Sequence, residues 1–225
     1  MRKIAVAIDG PAAAGKSTIA KKVAEQLGLV YIDTGAMYRA FTWYCLHKGI
    51  NCEDEKACCA LIPEVNIELK PDRVVLCNGI DVTREIRYAD VSFNVSFIAT
   101  YKDIRLALVE LQRKMAEHDS VIMDGRDIGT YVLPNAEVKI YQIASVECRA
   151  KRRYKENMEK NIPCTYEEIE EDVRRRDYID SHRDFAPLKP AEDAIHLDTS
   201  DMTIDEVVAA VIKIIKDKVQ ELEKK

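Results

Sequence analysis

The chain has 225 residues, a net charge of −5 and 32% charged residues. This acidic surplus argues against a general nucleic-acid binder, which normally carries a basic surplus, and no apolar run approaches the roughly 18 residues that cross a membrane. The seven cysteines form no C-x-x-C pair, so we expect reduced thiols in a cytoplasmic protein rather than disulfides or a zinc site. The length favours one α/β core with an insertion.

The first predicted strand, at 4–8, leads directly into the sequence Gly10-Pro-Ala-Ala-Ala-Gly15-Lys16-Ser17. This sequence matches the phosphate-binding P-loop pattern G-x-x-x-x-G-K-[ST], in which a glycine-bounded loop after a buried strand opens a helix and directs backbone N–H groups at phosphate. Apolar residues at helical spacing predict that helix over 16–27. The pattern assigns Lys16 to the β- and γ-phosphates and the Ser17 hydroxyl to Mg²⁺.

Strands and helices alternate along most of the chain, which favours a parallel sheet with helices on both faces. The predicted strands of this sheet lie at 4–8, 29–32, 120–123, 138–143 and 194–197. Further helices are predicted at 101–118 and after the capping boxes that begin at Thr165 and Thr203. The last of these helices keeps its apolar period throughout, so we expect it to close the core.

A stretch of different character lies between the second and third strands of the predicted sheet. Runs at 65–69, 74–77 and 80–82 predict three short strands, and Asn78-Gly79 is a strong hairpin signal. Because a hairpin does not fit the alternation of a parallel sheet, we interpret roughly 40–100 as an insertion over one edge of the site.

Two charged motifs follow predicted strands, which is where ligands bind in open α/β sheets. The first is Asp33-Thr34-Gly35-Ala36-Met37-Tyr38-Arg39, which puts Thr34 and Arg39 where a substrate is expected. Taken alone, it also fits an ordinary helix N-cap and a surface arginine. In the second motif, an apolar strand ends in Asp124 like a Walker B strand, whose aspartate helps to hold Mg²⁺. Arg126 and Asp127 follow at once, although a strand-end turn with solvated charges is the alternative.

Arginines recur at helical spacing in the charged segment 148–186, where each set would lie on one helix face. The two sets are Arg149 with Arg152 and Arg153, and Arg176 with Asp180 and Arg183. Two solvated helices with ion pairs are the alternative interpretation. The arginines suit an acceptor that is itself a phosphate, because a phosphate monoester is mostly dianionic near neutral pH and needs positive charge rather than a general base.

The motifs occur in one order along the chain: Asp9-Gly10-Pro11, Gly15-Lys16-Ser17, 33–39, 124–130, Arg176-Asp177, Asp180, Arg183 and Ala186-Pro187-Leu188. Together they resemble the bacterial cytidylate kinase family, and the resemblance runs from about Ile4 to Thr199. It implies an ATP-dependent phosphotransferase that uses Mg²⁺ and moves the γ-phosphoryl group of ATP to CMP or dCMP, giving ADP and CDP or dCDP.

The resemblance also implies the fold, an α/β P-loop NTPase of three αβα layers. It would have a five-stranded parallel sheet, a small α+β nucleoside-monophosphate-binding insertion and a helical lid. The predicted domains are a P-loop core at 1–39, the insertion with its small antiparallel sheet at 40–100, core at 101–147, the lid with the CMP-contacting helix region at 148–186, and the last core strand and helix at 187–225. We expect a monomer that binds neither nucleic acid nor membranes.

Site residues are carried over from the family position by position. The catalytic residues are Lys16, Arg126, Arg152 and Arg153, and Mg²⁺ is held by Ser17 and Asp124. The ATP-binding residues are Gly10, Pro11, Ala12, Ala13, Ala14, Gly15, Lys16, Ser17, Thr18 and Arg149. The CMP-binding residues are Thr34, Arg39, Ser96, Arg105, Arg126, Asp127, Arg176, Asp180 and Arg183. Among these, the Asp127 carboxylate suits cytosine, because it accepts a hydrogen bond from the N4 amine that uracil lacks.

Two alternatives stay open at this point. The first is a related P-loop kinase with another acceptor, such as UMP, AMP or a small metabolite alcohol. The second is a non-catalytic sensor that binds ATP and a partner protein, which would bind nucleotide without turnover.

Overall fold

A computed structural model describes residues 3–159 and 162–224. Residues 160 and 161, inside the predicted lid, lie outside the described residues, as do the chain ends at 1, 2 and 225. The chain divides into two compact units. The first unit is Met1–Tyr31 together with His118–Lys225, and the second unit is Ile32–Glu117.

Strands and helices alternate in the order that the sequence predicts. Within the described residues, the strands are β1 (Ala5–Asp9), β2 (Val30–Asp33), β3 (Ile67–Leu69), β4 (Val75–Cys77), β5 (Ile80–Asp81), β6 (Val121–Gly125), β7 (Val138–Ile143) and β8 (Ile195–Asp198). The helices are α1 (Lys16–Leu27), α2 (Thr34–His47), α3 (Glu55–Ala60), α4 (Ala89–Ile98), α5 (Lys102–Met115), α6 (Val146–Glu159), α7 (Tyr166–His182) and α8 (Ile204–Glu223).

The larger sheet has five strands in the order β2-β6-β1-β7-β8, and the pairs β1–β6, β1–β7 and β7–β8 are parallel. The predicted α/β fold with a five-stranded parallel sheet is therefore confirmed. In the register of β1 and β6, Ile8 lies opposite Asp124 and Asp9 opposite Gly125. The carboxyl ends of these two central strands thus leave the sheet side by side, each followed by a motif loop.

The core of the first unit lies between the sheet and the helices α1 and α8. Ile19 and Val23 of α1 pack with Val207 and Val211 of α8 against the strands. The residues of β1 from Val6 onward are buried, as is typical of a parallel strand covered on both faces. These contacts show that α8 closes the core, as the sequence predicts.

The second unit has its own core and a small antiparallel sheet in the order β3-β4-β5. Met37 and Phe41 of α2 pack there with Ile104 of α5. The turn between β4 and β5 has positive φ angles at Asn78 and Gly79, which is the hairpin geometry that this dipeptide favours. These strands are shorter than predicted, because the first predicted residues of the 65–69 run follow a 3₁₀ turn instead.

Both predicted capping boxes are present. The Thr165 and Thr203 side chains each accept a hydrogen bond from the backbone N–H of a glutamate three residues later, and that glutamate's carboxylate accepts one from the threonine backbone N–H. The helix predicted at 101–118 is α5, which ends at Met115. Among the residues that the structure describes, no helix is long and apolar enough to cross a membrane.

Candidate active site

The P-loop connects β1 to α1 in a backbone conformation that requires glycine. Gly10 has a φ of 153°, and a Cβ atom there would lie 2.0 Å from the backbone oxygen of Gln142. Gly15 caps α1 with a φ of 85°. Ala13 also has a left-handed φ of 58°, which costs a non-glycine residue about 1 kcal/mol or more and persists only where surrounding contacts hold it.

The Lys16 side chain is buried inside this loop, and its Nζ donates to the Pro11 carbonyl oxygen at 2.7 Å. Burial and the nearby Arg126 guanidinium lower the pKa of Lys16 to about 7, against the opposing effect of Asp124 and Asp9. A triphosphate placed beside this amine would raise its pKa again, because negative charge favours the protonated form. The site therefore gains most from Lys16 when an anion is bound.

Ser17 and Asp124 meet at the start of α1 and the end of β6. The Ser17 hydroxyl donates to Asp124 Oδ2 at 2.7 Å, and the Tyr31 hydroxyl donates to Oδ1 at 2.7 Å. A hydroxyl and a carboxylate are hard oxygen ligands that suit Mg²⁺, which is usually bound by one or two protein groups plus substrate phosphates. Within the described residues, no cluster of three or more His, Cys, Asp or Glu side chains could hold a metal alone.

Asp9 anchors the loop that follows β6. Its carboxylate accepts hydrogen bonds from the backbone N–H groups of Ile128 and Gly129 at 2.8 and 2.7 Å. Burial raises the pKa of Asp9 to about 6, despite those two bonds. Asp9 thus links the end of β1 to the loop that carries Arg126 and Asp127.

Two buried ion pairs join that loop to α7 and the residue after it. Arg126 Nε lies 2.6 Å from Asp180 Oδ2, and Arg183 Nη2 lies 3.2 Å from Asp127 Oδ1. Burial alone would lower the pKa of Arg126, but the carboxylates of Asp180, Asp124 and Asp177 together outweigh it and raise the value. Burial would conversely raise the pKa of Asp180, but Arg126 and Arg183 hold it below its usual value. The first unit therefore brings these four predicted CMP-binding residues together.

Arg183 and Arg176 differ in how their donors are used. Arg183 donates from Nε and Nη2 to the Ala186 carbonyl oxygen at 2.8 and 2.6 Å. The Arg176 Nε atom is buried and has no hydrogen-bond partner among the described residues. Burial and the charge of Arg126 lower the pKa of Arg176 to about 10, so an anion beside it would relieve both costs.

The three arginines of α6 separate into two kinds. Arg152 Nη2 donates to the Thr199 carbonyl oxygen at 2.6 Å, and its Nη1 lies 3.5 Å from the Ala14 carbonyl oxygen of the P-loop. Arg149 also reaches the P-loop, with Nη1 donating to the Ala12 carbonyl oxygen at 2.9 Å. Arg153 instead pairs with Glu156 along its own helix at 3.2 Å. Of these three predicted site residues, Arg149 and Arg152 thus reach the P-loop, whereas Arg153 lies along the surface of α6.

In the second unit, Thr34 and Arg39 lie at the start of α2. The helix N-cap is Asp33, whose carboxylate accepts from the Ala36 N–H at 2.7 Å, so the cap is not Thr34. Thr34 is the first helical residue and is buried. Arg39 lies 3.4 Å from Asp33, and its buried Nε has no hydrogen-bond partner among the described residues.

Ser96 and Arg105 occupy buried positions on α4 and α5 of the same unit. Arg105 is only 1% exposed; its Nη1 donates to the Ala99 carbonyl oxygen at 3.1 Å. Its guanidinium carbon lies 5.5 Å from the centre of the Tyr38 ring, a cation–π distance. Arg105 is therefore a buried side chain with partners inside the protein rather than a solvated charge.

Two polar residues that the sequence interpretation did not select also contact the P-loop. Gln142 Nε2 donates to the Ala14 carbonyl oxygen at 2.6 Å, and Asp177 Oδ1 accepts from the Ala12 N–H at 3.3 Å. Gln142 occupies a buried position in the alternating strand β7, on the same face as Val138 and Ile140. In the sequence, the signal that could have identified Gln142 is its position as a polar residue on the apolar face of a strand.

Comparison with known proteins gives the same family over nearly the whole chain. The cytidylate kinase family model matches residues 6–217. A cytidylate kinase of Anoxybacillus flavithermus is 52% identical over 97% of this chain and 99% of its own length. The cytidylate kinase of Bacillus subtilis is 48% identical over 96% of this chain and 98% of its own length.

Among solved structures, a gluconokinase from Sinorhizobium meliloti 1021 has a TM-score of 0.53 with only 10% sequence identity. The match covers 99% of this chain and 98% of that chain. At this identity the likeness concerns the fold alone. The sequence relatives go further, since they share half of their residues with this chain over almost its full length. The chain belongs to the cytidylate kinase family.

Proposed function

We propose that the protein is an ATP-dependent cytidylate kinase that transfers the γ-phosphoryl group of ATP to CMP or dCMP. One observation carries the proposal: the loop assigned to the phosphate donor and a loop assigned to the acceptor both follow the carboxyl ends of two paired strands. The P-loop follows β1, and the charged loop with Arg126 and Asp127 follows its neighbour β6. In the reaction, an oxygen of the CMP phosphate bonds to the γ-phosphorus while the bond to the bridging oxygen breaks, and ADP leaves.

The donor half of the proposed site is the P-loop, Gly10–Thr18. Its backbone N–H groups and Lys16 would hold the ATP phosphates. The Ser17 hydroxyl and the Asp124 carboxylate, 2.7 Å apart, would hold Mg²⁺, which when bound neutralises charge on the phosphate oxygens. Arg149 is assigned to the same half.

The acceptor half uses arginines for charge and a carboxylate for base identity. Arg39 and Arg126 would bind the CMP phosphate, and Asp127 would accept from the cytosine N4 amine. The buried, unpartnered Nε atom of Arg39 supports the first assignment, since such a donor is costly without an acceptor. Ser96 and Arg105 would join Asp127 in reading cytosine, and Thr34 lies among the acceptor contacts. Arg176 and Asp180 would hold the ribose, and Arg183 would reach the base or phosphate side of the same pocket.

Catalysis in this arrangement rests on neutralising charge. A dianionic acceptor needs no general base, so the work is to bring two anions together and to stabilise the transferring group. Lys16, Arg126, Arg152 and Arg153 are assigned to that role. Arg126 must first exchange Asp180 for a phosphate, and Arg153 must leave Glu156.

We place the enzyme in the cytoplasm as a monomer, with ATP and CMP or dCMP as its small-molecule partners. The seven cysteines are free thiols in the structure, as a reducing compartment requires.

An acceptor-specificity assay tests the proposal. ADP formation is followed with ATP, Mg²⁺ and each of CMP, dCMP, UMP and AMP. We expect turnover with CMP and dCMP that exceeds turnover with UMP and AMP by at least about tenfold in kcat/KM, the size of one specific base contact. Comparable use of UMP would contradict the specificity, and ATP binding without turnover would contradict the activity. Lys16→Met, which should remove turnover, controls for contaminating kinases.

A further inference from the structure

We propose that Asp177 is a positioning residue of the ATP site, acting through Arg149 and Ala12 to fix the backbone of the P-loop. The inference rests on the proposed function, because it assigns ATP to this loop. In this inference, Arg149 does not contact ATP directly. Its guanidinium instead fixes the shape of the loop that binds the phosphates.

The contacts around Ala12 carry the proposal. Arg149 and Asp177 form a two-pronged ion pair, with Nη1–Oδ1 and Nη2–Oδ2 distances of 3.0 and 2.6 Å. The same Arg149 Nη1 donates to the Ala12 carbonyl oxygen at 2.9 Å, while Asp177 Oδ1 accepts from the Ala12 N–H at 3.3 Å. One ion pair therefore holds both backbone groups of a single P-loop residue.

Fixing Ala12 sets the direction of the neighbouring amide groups. A trans peptide is planar, so the C=O of one residue and the N–H of the next point in opposite directions. With the Ala12 carbonyl held by Arg149, the Ala13 N–H is directed to the other side of the loop. The Pro11 carbonyl is fixed in the same way, because the Ala12 N–H of that peptide is held by Asp177 and the carbonyl itself accepts from Lys16.

The rest of the loop is consistent with this device. Ala13 has the left-handed φ of 58°, a conformation that alternates with ordinary ones when successive N–H groups converge on an anion. On its far side, the Ala14 carbonyl is held by Gln142. Without the contacts at Ala12, only one end of the strained Ala13 would be held.

The donors of Arg149 are committed within the protein. Its Nε donates to the Ala144 carbonyl oxygen at 2.9 Å, and the side chain is 4% exposed. Together with the bonds to Ala12 and Asp177, every nitrogen of this guanidinium has a protein acceptor. A charged, forked pair of this kind gives geometric precision as well as energy, which is what a positioning role needs.

The test measures ATP and CMP separately in Asp177→Asn. The substitution keeps the shape but removes the charge, so we expect the Kd for ATP and the KM for ATP to rise about tenfold. The KM for CMP should change less than about twofold, a split that general destabilisation would not produce. Glu170→Gln is the matched control: Glu170 is another acid of α7 that pairs with Arg174, and both constants should stay unchanged.

A double-mutant cycle then tests the route through Arg149. Arg149→Met should raise the Kd for ATP to a similar extent, and adding it to Asp177→Asn should raise that Kd by less than about threefold more, because both changes break one unit. If Asp177→Asn does not fold, Arg149→Lys, which keeps the charge but loses the fork, is measured in its place with the same expected split.

An ATP Kd within about twofold of the parent's, or equal increases for ATP and CMP, would overturn the inference. Equilibrium binding of ATP needs no acceptor, so the outcome is separable from that of the proposed function. A parent protein that binds ATP but does not phosphorylate CMP would contradict the proposed function. The inference about Asp177 would then still be decided by the ATP Kd of the variants. A parent that does not bind ATP overturns both.

Discussion

At the scale of single residues, two pairs of opposite charge stand out among the proposed acceptor residues of the first unit. Arg126 faces Asp180 and Arg183 faces Asp127, and the exposed fraction of Asp127 is only 5%. A buried charge left without its partner is strongly destabilising. A bound nucleotide must therefore supply replacement charges or acceptors for every pair that it opens, which selects for ligands with a phosphate and an amine at the right positions.

The first prediction concerns Asp127→Asn. The amide loses the anionic acceptor for the cytosine N4 amine, and we expect the KM for CMP to rise at least about tenfold. The Kd for ATP should stay within about twofold, because Asp127 is assigned to the acceptor half. Steady-state kinetics and ATP titration measure the two effects. Asp193→Asn, at a carboxylate that is 65% exposed and paired with Lys139, is the control, and equal effects on both substrates would show that the base pocket lies elsewhere.

The second prediction concerns the pH dependence that Asp9 imposes on stability. Burial raises its pKa from 3.8 to about 6, so the folded protein binds more protons than the unfolded chain between these values, and stability falls as pH rises through that window. Relative to Asp9→Asn, the parent should lose about 2.4 kcal/mol of unfolding free energy between pH 4 and pH 7. Urea unfolding of both proteins at the two pH values measures this loss.

A difference between parent and Asp9→Asn that stays constant from pH 4 to pH 7 would contradict the assignment. The comparison uses the difference because the other carboxylates titrate in both proteins alike. Asp180, whose pKa lies below its usual value, acts in the opposite direction and cancels in the same way.

Residue by residue, local motifs predicted the parts of the site that neighbouring positions build. Lys16 and Ser17 follow from a contiguous pattern, and Asp124 from the end of an apolar strand. Asp177 could not be found in this way, because its bond to the P-loop spans 165 positions. Gln142 stands out locally only as a polar residue on the apolar face of β7, and its bond to the P-loop, across 128 positions, could not be predicted. Such contacts depend on how β7 and α7 pack beside the loop, which no local pattern contains.

At the scale of secondary-structure elements, the P-loop is held by its neighbours rather than by its own sequence alone. Lys16, Arg149 and Gln142 each bond to one of its carbonyl oxygens. The loop also passes the β7 backbone so closely that Gly10 has no room for a side chain. The geometry of the donor half is thus a property of three elements, β7, α6 and α7, together with the loop.

The third prediction uses two glycines at opposite ends of the α1 segment. In Gly10→Ala, the new Cβ would meet the Gln142 backbone oxygen at 2.0 Å, so the loop must move, and we expect ATP binding to weaken at least about a hundredfold. Gly28→Ala is the matched control: Gly28 also has a positive φ, of 66°, but nothing lies within 4 Å of the added Cβ. It should cost about 1 kcal/mol of stability and leave the ATP Kd unchanged.

Titration with ATP and thermal unfolding of both glycine variants provide the measurement. Equal loss of ATP binding in the two variants would mean that α1 stability, not loop geometry, limits binding.

The spacing of apolar residues predicted the helices and strands that bury one or both of their faces. The strand at 138–143 and the helix at 16–27 agree with β7 and α1 to the residue. Apolar spacing defines both, and Gly15 and Gly28 also mark the two ends of α1. The small sheet was found through Asn78-Gly79, but its strands are shorter than their apolar runs. Val65 and Val82 belong to the runs yet lie outside β3 and β5, and Val65 instead follows the 3₁₀ turn at Ile62–Glu64.

At the scale of the whole molecule, each unit has its own hydrophobic core. Met37, Phe41 and Ile104 belong to the core of the second unit, and Val6 and Val211 to that of the first. The proposed ligand contacts divide unevenly between the units. Every residue assigned to ATP and Mg²⁺ belongs to the first unit, whereas those assigned to CMP belong to both.

The fourth prediction follows from this division. Trp43 is the single tryptophan of the chain and packs against the core of the second unit, so its fluorescence reports on that unit, whereas far-UV circular dichroism reports on both. ATP at a hundred times its Kd should add about 2.7 kcal/mol to the unfolding free energy of the unit that binds it. We therefore expect ATP to move the dichroism transition in urea to higher concentration and to leave the Trp43 transition in place.

CMP is the matched ligand for that experiment, because its proposed contacts include Arg39 of the second unit and Arg126 of the first. It should move both transitions. If ATP alone moves the Trp43 transition as far as the dichroism transition, the two units unfold as one cooperative body. The two cores would then not have separate free energies of unfolding. If CMP moves only the dichroism transition, the assignment of Arg39 to the acceptor phosphate is wrong, since a ligand stabilises only what it binds.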